Sequence, residues 1–178
     1  MKKLKSNEIK TITIDEFKKC KKTPLVIVLD NIRSALNVGS IFRTSDTFFV
    51  DKILVCGIRA CPPQKDIRKS GLCADSSVEW EYYSSTVDAV NTLIKKNYTI
   101  VTVEQTNNSN SLENIKLPKM PVALIFGNEV NGISQEVINL SKESVEIPQL
   151  GTKHSLNVSV AAGIVIWKYY EILKNQNR

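Results

Sequence analysis

Two stretches of five consecutive apolar residues, Leu25–Leu29 and Val122–Phe126, constrain this chain more than any other feature. A strand with one wet face alternates apolar and polar side chains. A strand with no polar position must be covered on both faces. Helices supply such a cover, and helix-length segments do separate the strands. Thr13-Ile14-Asp15-Glu16 has the capping-box pattern and predicts a short helix through about Lys21. Further helices are expected over Val38–Phe49, Val87–Lys96 and Leu156 to about Leu173, with a short one capped by Ser134. Strands are expected at Ile53–Cys56, Val78–Tyr83, Thr99–Val103 and Val145–Ile147. Strands alternating with helices predict a single α/β domain, a mostly parallel sheet flanked by helices. The length, 178 residues, suits one such domain.

Composition excludes several classes. With 42% hydrophobic and 24% charged residues the chain is ordinary globular material, not a disordered one. No run approaches the roughly 18 apolar residues of a membrane span. The basic N-terminus is followed by neither an apolar stretch nor a small-residue cleavage site, so a soluble cytoplasmic domain is expected. Cys20, Cys56, Cys61 and Cys73 contain no C-x-x-C pair and the chain has one histidine, so no metal is expected and the thiols read as reduced. His154 sits beside Lys153 with no carboxylate nearby in sequence to orient it as a triad base. Gly127–Gly132 has the glycine spacing of a phosphate loop, but Ile133 stands where its lysine belongs. The first strand is followed by Asp30-Asn31-Ile32-Arg33 rather than G-x-G-x-x-G. Hydrolase, kinase and dehydrogenase chemistry are all disfavoured.

The formal net charge of +6 is unevenly placed: residues 1–22 carry eight lysines against Glu8, Asp15 and Glu16. The organisation expected is a basic N-terminal arm with a short helix, residues 1–23, ahead of a domain at 24–178. A second cluster, Arg59, Lys65, Arg68 and Lys69, falls in a segment with Cys61-Pro62-Pro63 and Gly71, which reads as a loop. Two basic patches suit a polyanion such as nucleic acid, although a basic arm is also compatible with a merely solvated tail.

Polar residues gather after three of the strands. The clusters are Asn31–Arg43, Gly127–Gly132 and Ile147–Asn157, and five of the seven glycines (Gly39, Gly71, Gly127, Gly132, Gly151) lie in or beside them or the basic segment. Parallel sheets bind ligands beyond the carboxyl ends of their strands, where these loops must lie. Small residues there would let the backbone approach a ligand closely.

These clusters resemble the three motifs of the SpoU/TrmH branch of the SPOUT methyltransferases. The first fits N-x-R-x-x-x-N-x-G-x-x-x-R, the second F-G-x-E-x-x-G, and the third, Ile147–Ala161, I-P-x-x-G-x-x-x-S-L-N-V-S-V-A. The resemblance covers roughly residues 24–173. It implies a C-terminal trefoil knot, S-adenosylmethionine as cofactor, a homodimer, and methylation of a ribose 2′-hydroxyl in tRNA or rRNA. A catalytically silent RNA-binding relative, or a small-molecule-binding protein sharing only the fold, are the alternatives.

The resemblance also implies residue roles. Arg43 matches the arginine proposed to be catalytic, with Asn37, Glu129, Ser155 and Asn157 completing the site. Asn37, Ser155 and Asn157 are also suited to capping helix starts. Backbone groups around Gly127, Ile147, Leu150, Ser155 and Leu156 are where the cofactor is expected. Arg33, Arg59, Lys65, Arg68 and Lys69 are expected to meet RNA phosphates. Trp80, Tyr82 and Tyr83 suit edge-strand packing better than base stacking, and Trp167 and Tyr170 suit the core or a dimer interface.

Overall fold

A computed structural model describes residues 1–176; residues 177 and 178, the end of the expected 24–178 domain, lie outside the described residues. The apolar runs do become the centre of the sheet. In chain order the elements are α1 (Ile14–Lys19), β1 (Thr23–Asp30), α2 (Ala35–Thr47), β2 (Val50–Cys56), α3 (Lys65–Gly71), β3 (Glu79–Tyr83), α4 (Thr86–Lys95) and β4 (Thr99–Val103). They continue with β5 (Asn110–Ser111), β6 (Val122–Phe126), α5 (Gln135–Leu140), β7 (Glu143–Glu146) and α6 (Val158–Gln176). The seven strands form one sheet in the order β3-β2-β1-β6-β4-β7-β5, and every pairing is parallel. β1 lies between β2 and β6, so its apolar run has neighbours on both edges as well as both faces.

The sheet is covered on both sides. Leu25, Ile27 and Leu29 of β1 pack with Val38, Ile41 and Phe42 of α2 and with Ala162, Val165, Ile166 and Tyr169 of α6. Val26 and Val28 face the other way, against Ala89, Val90 and Leu93 of α4 and Val137 of α5. Alternate residues of one apolar run thus serve two cores. Full burial of one such side chain contributes roughly 1.5–3 kcal/mol. Among the described residues no helix is long and apolar enough to cross a membrane.

Four local expectations need correction. The basic segment is not all loop: its centre is α3, which carries Lys65, Arg68 and Lys69. Pro62-Pro63 and Gly71 flank or end that helix rather than forbid it. Gly39 and Gly71 are needed for helix packing, not for a ligand. A Cβ at Gly39 would stand 2.4 Å from the Ile67 carbonyl oxygen, and one at Gly71 would stand 3.0 Å from that of Gly39. The helix of the first motif starts at Ala35 instead of Val38, because the Ser34 side chain caps it by accepting the Asn37 N–H (3.3 Å). Ser134 holds the N-cap position of α5, yet its side chain makes no capping bond; its N–H donates to Asp30 instead (3.4 Å).

The edge strand behaves as packing. Trp80 lies against one core and Tyr83 against the other. Tyr82 donates its hydroxyl to the Gly57 carbonyl (2.9 Å) and lies under Arg59. Cys56 is fully buried, and burial with the nearby Asp30 charge pushes its thiol up to about 12, which leaves it unreactive. Cys20 and Cys73 are exposed free thiols.

Candidate functional site

All the strands run the same way, so the loops that follow β1, β4, β6 and β7 meet at one end of the sheet. There the loops after β4, β6 and β7 enclose a cavity of about 670 Å³, with the loop after β1 beside it. Glu104 and Gln105 from the end of β4, residues 126–133, and residues 145–149 with 154–158 make up most of its wall. Glu104, Glu129 and Glu146 are in that lining; lysine and arginine are not.

The loop after β6 is closed on itself. Asn128 and Gly132 exchange backbone hydrogen bonds (3.1 and 2.9 Å). The Asn128 side chain accepts from the Val130 and Asn131 amides and donates to the Asn31 carbonyl (2.7 Å). Gly132 has φ +65°, the left-handed region a side chain rarely tolerates. Glu104 then accepts the Ile133 N–H at 3.0 Å, fastening the loop to β4. Gln105 reaches the other way and donates to the His154 carbonyl (3.0 Å).

A second set of bonds joins three loops that are far apart in sequence. The Glu129 carboxylate accepts from the Arg33 and Ser34 amides (3.2 and 3.3 Å) and from Asn37 Nδ2 (3.1 Å). Asn157 Nδ2 donates to Asn37 Oδ1 (3.2 Å). Asn157 Oδ1 also accepts from the amide and hydroxyl of Ser159 and so caps α6. For Asn157 cap and site position coincide. For Asn37 they do not, since Ser34 holds the cap and leaves the Asn37 side-chain amide to Glu129 and Asn157.

Glu129 sits at the amino end of α2, where negative charge is favoured. Burial opposes its ionisation. The amides of Glu129 itself, Arg33 and Ser34, with the Asn37 side chain, outweigh that and hold its pKa below the ordinary glutamate value. A lowered pKa means that the tie is complete above pH about 4.5 and is lost as pH falls through the lowered value. An NMR titration of the Glu129 side chain should therefore show a midpoint below 4.5. A midpoint at or above that value would mean that the carboxylate does not hold these donors.

The expected site residues divide into two groups. Gly127, Glu129, Ile147, Ser155, Leu156 and Asn157 line the cavity, and Asn37 joins them through its hydrogen bonds. Leu150 is fully exposed and outside the lining; Gln149 takes the inward position. Arg43 is exposed on α2 and also outside the lining. Six residues of helix turn it about a third of a revolution from Asn37. Arg33 is exposed beside the site, and Arg59 lies 5.0 Å over the Tyr82 ring. Lys65, Arg68 and Lys69 are exposed on α3, with Arg68 paired to Asp75 (3.3 Å). Sequence reading missed Glu104, Gln105 and Glu146, and gave Asn128 a place in the second cluster but no role. The signal available for Glu104 was its place at the carboxyl end of a buried strand. Among the described residues no group of three histidine, cysteine, aspartate or glutamate side chains is placed to hold a metal ion.

Comparison with known proteins gives a consistent set of relatives. The SpoU rRNA Methylase family matches residues 24–167. An uncharacterized tRNA/rRNA methyltransferase of Borreliella burgdorferi is 28% identical over 170 residues, covering 92% of this chain and 73% of the relative. A tRNA (guanosine(18)-2′-O)-methyltransferase of Thermus thermophilus is 26% identical over 158 residues, covering 87% of this chain and 78% of the relative. An AdoMet-bound rRNA methyltransferase structure from Sinorhizobium meliloti is similar with a TM-score of 0.80 at 23% identity, over 88% of this chain and 60% of that one. At that identity the likeness is one of fold.

Proposed function

The chain belongs to the SpoU rRNA Methylase family, and on that premise we propose that it transfers the methyl group of S-adenosylmethionine to a ribose 2′-hydroxyl of tRNA or rRNA. The observation that carries this reading is the lining of the cavity. Three glutamates and no lysine or arginine line it. A phosphorylated cofactor would meet repulsion in such a cavity, whereas a cationic, phosphate-free nucleoside would be attracted. Main-chain groups around Gly127, Ile147 and Leu156 would hold its adenine and methionine parts. Bound there, S-adenosylmethionine supplies an electrophilic methyl on a positively charged sulfur.

The chain's own residues then have separate tasks. Glu129 holds Asn37, and Asn37 holds Asn157, so the rim of the cavity is preorganised before any substrate arrives. Asn37 and Ser155 supply amide and hydroxyl groups that can orient a ribose at that rim. Arg33 and Arg43 are placed outside the cavity, where an RNA phosphate would run. A permanently charged guanidinium there grips phosphate and stabilises negative charge developing on the ribose oxygen.

Calorimetry with S-adenosylmethionine and transfer of labelled methyl to bulk tRNA and rRNA test the reading. Nucleoside analysis of the product should show 2′-O-methyl nucleosides. Base methylation, or binding without transfer to either RNA, would overturn it.

The same reading includes a homodimer. Val160, Ile164 and Trp167 stand half-exposed at i, i+4 and i+7 on α6, with Leu36 of α2 also exposed. An apolar stripe on a helix that already buries its other face suits a second copy. Sedimentation should give twice 20.0 kDa. Ile164→Glu should shift the protein toward the single-chain mass and lower methyl transfer with it. A single-chain mass with full activity in the unaltered protein would rule the dimer out.

A further inference from the structure

The basic arm is held by the body at one defined place. Phe17, 3% exposed, is the buried residue of α1. Its ring stacks on Phe49, with centroids 5.0 Å apart and planes 14° from parallel. Lys22 Nζ lies 3.5 Å over the Phe17 ring and donates to the Phe17 carbonyl. Phe49 itself has φ +54°, a strained conformation for a bulky side chain. Thr23 fixes the turn from both sides, its N–H donating to the Phe49 carbonyl (2.8 Å) and its hydroxyl to that of Phe48 (2.7 Å). A tail that only solvated itself would need none of this.

The seat is at the end of the strands away from the cavity. Phe48 and Phe49 follow the carboxyl end of α2, and Thr23 opens β1, whereas the cavity residues follow the carboxyl ends of the parallel strands β4, β6 and β7. The 13 residues of α2 separate the two places by about 20 Å. The arm's charge is also free to act. Glu8 and Glu16 are engaged by backbone donors, of Lys5 and Thr13 respectively, and among the described residues no arm lysine forms an ion pair. The rest of the chain is close to neutral, with 16 basic against 15 acidic residues after position 22.

We propose that residues 1–22 are a second RNA-backbone contact, seated on Phe49 at the amino ends of the strands, opposite the candidate site. RNA is then held at two points of one protomer, and the arm supplies phosphate affinity that an acidic cavity cannot. This rests on RNA being the substrate, as proposed above.

The test is filter binding of bulk tRNA over a range of KCl concentrations. The proteins are the full chain, a variant with Lys2, Lys3, Lys5 and Lys10 changed to Ala, Phe17→Ala, and Arg33→Ala. Each phosphate contact contributes about 0.7–0.9 to the log–log salt slope, so the four-lysine variant should lose about two units or more. Phe17→Ala keeps every lysine yet should lose at least about threefold in affinity, because the arm is no longer seated. Across about 20 Å the losses from the four-lysine and Arg33→Ala changes should multiply to within about twofold in a further variant that carries both. Calorimetry with S-adenosylmethionine should give the same affinity in the lysine variant, the Phe17 variant and the full chain. An unchanged salt slope, a Phe17→Ala protein that binds like the original, or losses that fail to multiply would each overturn the proposal. If the full chain itself does not bind tRNA or rRNA, the RNA reading fails rather than the arm.

Discussion

Arg43→Ala is expected to lower methyl transfer to RNA by at least about a hundredfold while S-adenosylmethionine affinity stays within about twofold. The first figure is the scale for removing one preorganised donor from a developing negative charge. Arginine stays protonated in proteins, so its part is to grip phosphate and stabilise the ribose oxygen, not to remove a proton. The second follows from the structure: Arg43 is exposed and lies outside the cavity lining. Arg43→Lys should restore only part of the rate, since a point ammonium cannot make a planar two-pronged contact. Near-normal turnover in Arg43→Ala would overturn this mechanism while leaving the family intact. Lost cofactor binding would instead mark the arginine as structural.

The sheet was legible because its signal is local. A run such as Leu25–Leu29 can be covered on both faces in few ways, and β4 and β6 keep the expected limits. α3 was hidden because Pro62-Pro63 and Gly71 surround a seven-residue helix, and its stability comes from α2 crossing at Gly39, a tertiary contact. The three polar clusters could be found one by one, as each follows a strand. Their joining could not. Asn37 meets Glu129 and Asn157 across gaps of 92 and 120 residues, and spacing in the chain says nothing about such pairs. Gly39 and Gly127 illustrate a related limit. A glycine needed for close approach looks the same in sequence whether the approaching group is a ligand, a helix or its own loop.

Gly127 shows how much depends on that difference. A Cβ built there would lie 2.3 Å from the Gly132 carbonyl carbon, 2.4 Å from the Ile133 nitrogen and 2.7 Å from the Gly132 oxygen. All three are backbone atoms, so no rotamer can relieve the clash. The loop has little freedom to yield, because Asn128, Gly132 and Glu104 tie it to itself, to β4 and to the Asn31 carbonyl. Gly127→Ala should therefore push the loop open, displacing the amides proposed to hold the cofactor and the Glu129 carboxylate that holds Asn37. Overpacking of this kind costs about 1–3 kcal/mol. For a chain of this size that lowers Tm by roughly 2–12 °C. Cofactor affinity should fall at least about tenfold, as the same strain falls on its site. Gly151→Ala is the control: nothing lies within 4 Å of its Cβ position, and it stands in the exposed turn between Gln149 and His154 of the cavity wall without lining the cavity itself. Its Tm should be almost unchanged and its affinity within about twofold of the original. A Gly127→Ala protein that binds S-adenosylmethionine normally would place the cofactor away from residues 127–133, and with it the reading of the cavity would fall.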